Sequence, residues 1–171
     1  VPLQLRDLRP DDEAEFRAAD AAMGGSPEFV FALGLTPGMS WAAYLATLAD
    51  HRAGRNLPAG WAPGTFLVAD LDDTIVGRAS IRHRLNPTLE REGGHIGYGV
   101  LPAHRRRGYA TAILRECLVV TAGLGIASVL VTCHEDNTGS RKVIEACGGR
   151  LESVVESATP GASPVRRYRI G

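Results

Sequence analysis

Arg105-Arg106-Arg107-Gly108-Tyr109-Ala110 sets three guanidinium groups beside a glycine and an alanine two residues apart. These are residue types that hold an anion. Guanidinium groups offer forked, charge-assisted donors to phosphate oxygens. Gly108 carries no Cβ to keep a phosphate at a distance, and Ala110 keeps the opposite side shallow. A solvated basic turn before an ordinary helix has the same composition, so the flanking elements must decide.

Those elements favour the anion. His95-Ile96-Gly97-Tyr98-Gly99-Val100 reads as a strand, and Pro102, which has no N–H for a sheet ladder, ends it. From Ala110, small or apolar residues recur at Ile113, Leu114, Cys117, Leu118 and Thr121, the spacing of one buried helix face, with Gly123 as the stop. Gly108 and Ala110 therefore belong to the first turn. Backbone N–H groups there lack helical partners and lie at the positive end of the helix dipole, so phosphate oxygens meet preoriented donors.

With 171 residues the chain is expected to form one domain whose core needs neither disulfides nor a metal. Cys117, Cys133 and Cys147 are odd in number and widely spaced, which suggests neither a disulfide framework nor a zinc site, and makes cytoplasm the expected compartment. Residues 117–133 carry no charge, but Gly123 and Gly125 interrupt them. A helix end followed by a buried strand is expected there, not a membrane span. Arg6, Asp7, Arg9, Asp11 and Asp12 leave no apolar segment for a signal peptide. The formal net charge of zero argues against electrostatic binding to nucleic acid or to a membrane. Residues 1–94 carry nine basic and thirteen acidic side chains, and residues 95–171 ten and six. That split is compatible with an anionic ligand on the second half.

Along the chain, strands and helices alternate. Residues 3–8 alternate like a half-buried strand, and Pro10-Asp11-Asp12-Glu13 opens a helix with Phe16 and Ala19 inward, ended by Gly24, Gly25 and Pro27. Ser40 caps a second helix through Trp41, Tyr44, Leu45 and Leu48. Residues 65–69 and 74–84 form a hairpin around Asp72-Asp73, and Asn86-Pro87 opens a loop. Residues 128–132 are an apolar run typical of a strand buried on both faces. Asn137 or Asp136 caps a last helix with Val143, Ile144 and Cys147 inward, stopped by Gly148-Gly149. Residues 151–155 and 165–170 close the chain as strands. This order predicts a mixed α/β sheet with helices on both faces.

The stretch Val100-Leu101-Pro102-Ala103-His104-Arg105-Arg106-Arg107-Gly108-Tyr109-Ala110 resembles the acyl-CoA-binding motif of the GNAT superfamily of N-acetyltransferases. That motif requires Gln or Arg, then Gly three residues on, then Gly or Ala two further, after a strand. Arg105, Gly108 and Ala110 match all three positions. Asn137-Thr138-Gly139-Ser140-Arg141-Lys142 is similar to the family's helix start, Cys147-Gly148-Gly149 to that helix's end, and the element order agrees over nearly the whole chain. Arg82-His83-Arg84-Leu85-Asn86-Pro87 and Gly93-Gly94-His95-Ile96-Gly97-Tyr98 look like a bacterial branch of predicted acetyltransferases.

The resemblance implies a single α/β GNAT domain over 1–171, with a mixed, mostly antiparallel sheet of six to seven strands, about four flanking helices and splayed central strands at 95–100 and 128–133. Residues 1–94 would face the acceptor, and residues 95–171 would hold acetyl-CoA as co-substrate, without a metal. Arg105, Arg106, Arg107, Gly108, Tyr109, Ala110 and Thr111 would form the pyrophosphate cradle. The edge at Val100 and Leu101 would pair with pantetheine, with an N–H near Leu101 polarising the thioester carbonyl. Asn137 and Ser140 would border the sulfur. A primary amine of a small molecule or peptide would attack directly; neither nucleic acid nor membrane is implied as a partner, and the protein would be a monomer or homodimer.

Two proton transfers need residues. The family often places a carboxylate near the start of the motif strand, and His95 stands at that position here; its imidazole suits a general base, and a histidine bonded to backbone at a strand end is the bland alternative. Glu135 is the second candidate, ahead of His134 and His83, and a solvated loop carboxylate is its alternative. Many members carry an acidic Tyr seven residues after the helix-start Asn, where this chain has Ile144. Another group or water then protonates the sulfur, the thiolate leaves as such, or the site is weak, the last keeping open a non-catalytic acyl-CoA-binding module. Cys133 approaches the thioester or simply packs in the core. Phe29, Phe31, Trp41, Trp61, Arg82 and His83 are candidates for the acceptor pocket, Trp61 foremost because it lies in a loop while aromatics at helical spacing are usually core. Gly97-Tyr98-Gly99 begins like a dinucleotide fingerprint but has Pro102 for the third glycine and lies inside a strand.

Overall fold

Hydrophobic alternation along seven strands produces two antiparallel sheets, described by a computed structural model over residues 2–25 and 29–171. β1 (Gln4–Arg6), β2 (Gly64–Leu71), β3 (Thr74–Arg82) and β4 (Ile96–Val100) pair in that order. In the second sheet β7 (Val165–Ile170) lies between β5 (Val129–His134) and β6 (Arg150–Val155). The helices are α1 (Glu13–Met23), α2 (Trp41–Arg52), α3 (Pro87–Arg91), α4 (Tyr109–Gly123) and α5 (Thr138–Ala146). Pro27, expected at the end of α1, lies outside the described residues; Gly24 caps that helix in the left-handed conformation at φ +78°.

The expected α/β fold with splayed central strands is present: among the described residues all ladders are antiparallel, and the splay divides the sheet in two between β4 and β5. Among the described residues there are five helices, close to the four or so expected, because Asn86-Pro87 starts a helix as well as a loop. The Asn86 side chain accepts the Leu89 N–H at 2.9 Å, and Pro87 fills the first helical position, where its missing N–H costs nothing.

The period-2 pattern divides the core. Leu67, Ala69, Ala79 and Ile81 share the core with Ile113, Leu114 and Cys117 of α4, Val76 joins them where a bulge interrupts the alternation of β3, and Val129, Val131 and Tyr168 join from the second sheet. Phe66, Val68 and Ile75 face the other way, under α1 and α2. There Phe16 packs 5.3 Å from Phe31 and 5.5 Å from Trp41, ring centre to ring centre. The polar tips are satisfied: Trp41 Nε1 donates to the Arg9 carbonyl at 3.1 Å and Tyr44 Oη to that of Leu33 at 3.0 Å. Phe31 and Trp41 are thus core, as helical spacing favours for Trp41.

β4 and β5 meet only at their base. The His95 N–H donates to the Leu130 carbonyl at 2.8 Å, and the Gly93 N–H to Thr132 Oγ1 at 2.9 Å. Gly94 makes this approach possible: at φ +62° a Cβ would lie 2.3 Å from the Leu130 oxygen. No ladder joins the two strands beyond that point among the described residues.

Candidate active site

The loop from β4 to α4 carries the residues expected to form the cradle. Arg106 at φ +61° and Gly108 at φ +83° turn the backbone into the helix, and nothing lies within 4 Å of where a Gly108 Cβ would stand. The first N–H inside α4 with a helical partner is that of Ala112, bonded to the Gly108 carbonyl at 3.1 Å. Tyr109, Ala110 and Thr111 therefore present unpaired helix-terminal donors beside open space, a fit to phosphate oxygens. Arg106 and Arg107 are exposed at this opening. Arg105 differs: its Nε donates to the Val100 carbonyl at 3.1 Å, bracing the loop against its own strand.

The donors on the strand edge follow from the ladder. Arg82 N donates to the His95 carbonyl at 2.7 Å and Leu101 N to that of Val76 at 2.9 Å. Antiparallel pairs alternate, so odd-numbered β4 residues bond β3, while Ile96, Tyr98 and Val100 turn their backbone groups toward the split. This corrects the expectation for Leu101, whose N–H is already used. Val100 keeps its expected edge position.

Across the split, Asn137 caps α5 by accepting the Ser140 N–H at 3.0 Å. The Ser140 hydroxyl lies 3.0 Å from Tyr98 Oη, tying β4 to the start of α5. Ile144, standing where the family often has Tyr, is fully buried in the core. A phenol nevertheless reaches the Ser140 hydroxyl, supplied by β4. Tyr98 was missed because it is distant in sequence from the helix start; only its alternation with Ile96 and Val100 hinted that it faced the split. Burial pushes its pKa up, so it is protonated at neutral pH. Cys133 is buried at the same junction, and burial likewise raises its thiol pKa.

His95 is the clasp at the base of the split. The buried Leu130 N–H donates to His95 Nδ1 at 2.9 Å, which uses the ring's lone pair and leaves the proton on Nε2. Burial first, then Arg169 and Arg82, lower its pKa. Glu135 accepts from Arg166 at 3.0 Å on the second sheet. His134 Nδ1 lies 3.0 Å from the Ser163 carbonyl. Neither His95 nor Glu135 lines the pocket.

That pocket, about 290 Å³, lies between β2, β3, α2, α3 and the loop before β2. Trp61 and Arg82, two of the acceptor-pocket candidates, line it together with Leu33, Leu48, His51, Phe66 and Leu89 among others. His83 stands one layer back, its Nε2 2.8 Å from Thr65 Oγ1. Phe29 covers Gly99, where a Cβ would lie 2.6 Å from the ring, and the Arg78 guanidinium stacks 3.9 Å above that ring. His51 was not anticipated; its ring meets Trp61 at 5.3 Å, and burial lowers its pKa. Its spacing continues the inward stripe of Trp41, Tyr44 and Leu48 on α2, the signal that places it inside. Among the described residues no group of three or more His, Cys, Asp or Glu is placed to hold a metal ion, and no helix is long and apolar enough to cross a membrane.

Comparison with known proteins agrees with this geometry. Among solved structures, RimJ of Mycobacterium smegmatis in complex with CoA-disulfide superposes with a TM-score of 0.70 at 23% identity, covering 98% of this chain and 81% of that one. The microcin C7 self-immunity acetyltransferase MccE, in complex with acetyl-CoA and AMP, gives 0.68 at 16% identity over 99% and 92%. RimL, a ribosomal L7/L12 α-N-protein acetyltransferase in complex with coenzyme A, gives 0.68 at 17% over 99% and 94%. No curated protein matches the chain in sequence. The acetyltransferase (GNAT) domain family matches residues 3–150. A split sheet, a helix terminus with free donors at its mouth and that match together make the chain a member of the GNAT family, an N-acetyltransferase.

Proposed function

We propose that the protein moves an acetyl group from acetyl-CoA to a primary amine of a small molecule or peptide by direct attack. One observation carries this reading: the β4–β5 split has unpaired strand-edge donors along it and the α4 terminus at its mouth. Tyr109, Ala110 and Thr111 N–H groups take the pyrophosphate, with Arg106 and Arg107 adding charge, and the edge groups of Tyr98 and Val100 pair with the pantetheine amides. Acetyl-CoA supplies an activated thioester carbonyl and a thiolate leaving group. The acceptor enters from the pocket, whose Arg82 wall touches the Gly97 face of β4.

The amine must lose its proton before it attacks. His51 in the pocket wall is neutral at pH 7 because burial lowers its pKa, and it takes that proton directly or through water. The amine nitrogen then bonds to the carbonyl carbon as the carbon–sulfur bond breaks and releases its second proton to solvent to become the neutral amide, while an edge N–H stabilises the developing negative oxygen. The thiolate meets the Tyr98–Ser140 hydroxyl pair. A phenol with a raised pKa serves it as a hydrogen-bond donor, and the thiol, with an ordinary pKa near ~8.5, gains its proton from solvent. His95 positions rather than reacts, holding the base of the split closed. Incubation with acetyl-CoA and a broad amine and peptide panel, followed by free thiol release and product mass, tests the reaction; CoA binding with no acetylated product across the panel refutes it.

A further inference from the structure

Arg78 and Arg82 lie four residues apart on one face of β3, yet their surroundings differ. Arg78 is buried and well bonded: its guanidinium donates to the Phe31 carbonyl at 3.1 Å, to the Val30 carbonyl and to Ser80 Oγ at 3.3 Å. Arg82 is half-buried in the pocket wall, and its side chain makes one long hydrogen bond, to the Gly93 carbonyl at 3.4 Å. No carboxylate pairs with it among the described residues, and none lines the pocket. The backbone makes room for this cation: a Cβ at Gly97 would stand 3.1 Å from Arg82 Nη1. The remaining walls are mostly apolar, from Leu33, Leu48, Trp61, Phe66 and Leu89.

A desolvated guanidinium without a counter-ion is costly, and an anion in the pocket would relieve that cost. Burial alone already lowers the Arg82 pKa. We infer that the acceptor is a small apolar amino acid or related amine whose free carboxylate is held by Arg82. The inference rests on the acetyl-transfer reading for the pocket's role. The same charge orients the molecule: the carboxylate is held at the wall that meets Gly97 of β4, which keeps the adjacent α-amine at the split end of the pocket. An apolar side chain lies against Trp61 and the leucines. At about 290 Å³ the pocket takes one amino acid and not a long chain. Polyamines, with several cations, find no carboxylate there.

The test compares each free L-amino acid with its C-terminal amide and its decarboxylated amine, on wild type, Arg82→Gln and Arg82→Lys, by thiol release. Apolar acids should exceed their amides and amines in kcat/KM by about tenfold or more, the scale of one charge-assisted hydrogen bond. Arg82→Gln should bring that ratio to about one, and Arg82→Lys should restore part of it. CoA affinity serves as the folding control. Amides, dipeptides or polyamines turned over as well as the acids would overturn the inference while leaving acetyl transfer standing. Calorimetric binding of acids that is lost in Arg82→Gln, without turnover of any amine, would keep the anion site and remove the transfer reading. Neither binding nor preferential turnover of any acid would overturn the inference.

Discussion

Gly108→Val separates the cradle's two demands on one residue. Gly108 stands at φ +83° with nothing within 4 Å of a Cβ position, so an added Cβ meets no protein atom and the main folding cost is the left-handed backbone. That is about 1–2 kcal/mol. The added β-branched group occupies the space in front of the Tyr109, Ala110 and Thr111 N–H groups. Losing one or two charge-assisted hydrogen bonds there costs about 2–4 kcal/mol, which is roughly 30- to 700-fold in CoA affinity. Gly125→Val is the matched control, because Gly125 has φ +78° and equally open space just past the other end of α4. Urea denaturation reads the strain, expected to be similar in both variants, and calorimetric titration with CoA reads the cradle. CoA affinity unchanged in Gly108→Val, or weakened as much in Gly125→Val, would show that this terminus does not hold the pyrophosphate.

Two further outcomes follow from the split. His95→Ala strands the buried Leu130 N–H and should lower stability by about 1–3 kcal/mol. Because the folded state lowers the His95 pKa, the unfolded chain binds the proton first. This contribution is present above the ordinary histidine pKa of ~6.5 and lost as pH falls through the folded value. The wild-type urea midpoint should drop between pH 7 and 5, and that of the variant should drop less; a variant of wild-type stability that has lost the acid limb of its rate profile would make His95 the base after all. Tyr98→Phe removes the hydroxyl bonded to Ser140 and should lower kcat about tenfold, with CoA affinity little changed. An unaffected kcat would take the phenol out of the chemistry.

The order of elements, the helix terminus that the proposed cradle uses and the family motif were legible in the sequence because each is local. Arg105 to Ala110, the Pro102 stop and the helical spacing from Ile113 to Thr121 all fall within one strand, one turn and one helix. Helix caps behaved likewise: the hydroxyl of Ser40 accepts from Ala43 N at 3.2 Å, and Asn137 from Ser140 N. Period 2 also placed β2 and β3, whose buried faces alternate between the two cores.

Tertiary structure decided what depends on partners far along the chain. His95 suits a base by residue type, and only its contact with Leu130, 35 residues away, commits its lone pair to the backbone. Tyr98 meets Ser140 across 42 residues, and no spacing rule connects a strand to a helix start in another sheet. Ladder phase assigned the free edge to Tyr98 and Val100 instead of Leu101, because which N–H faces a neighbour depends on register with β3. Arg82 differs from Arg78 only in what folds over it. Local pattern thus determined which elements form and where a helix terminus opens after β4; burial, register and long-range pairing decided which side chains remain available there for chemistry.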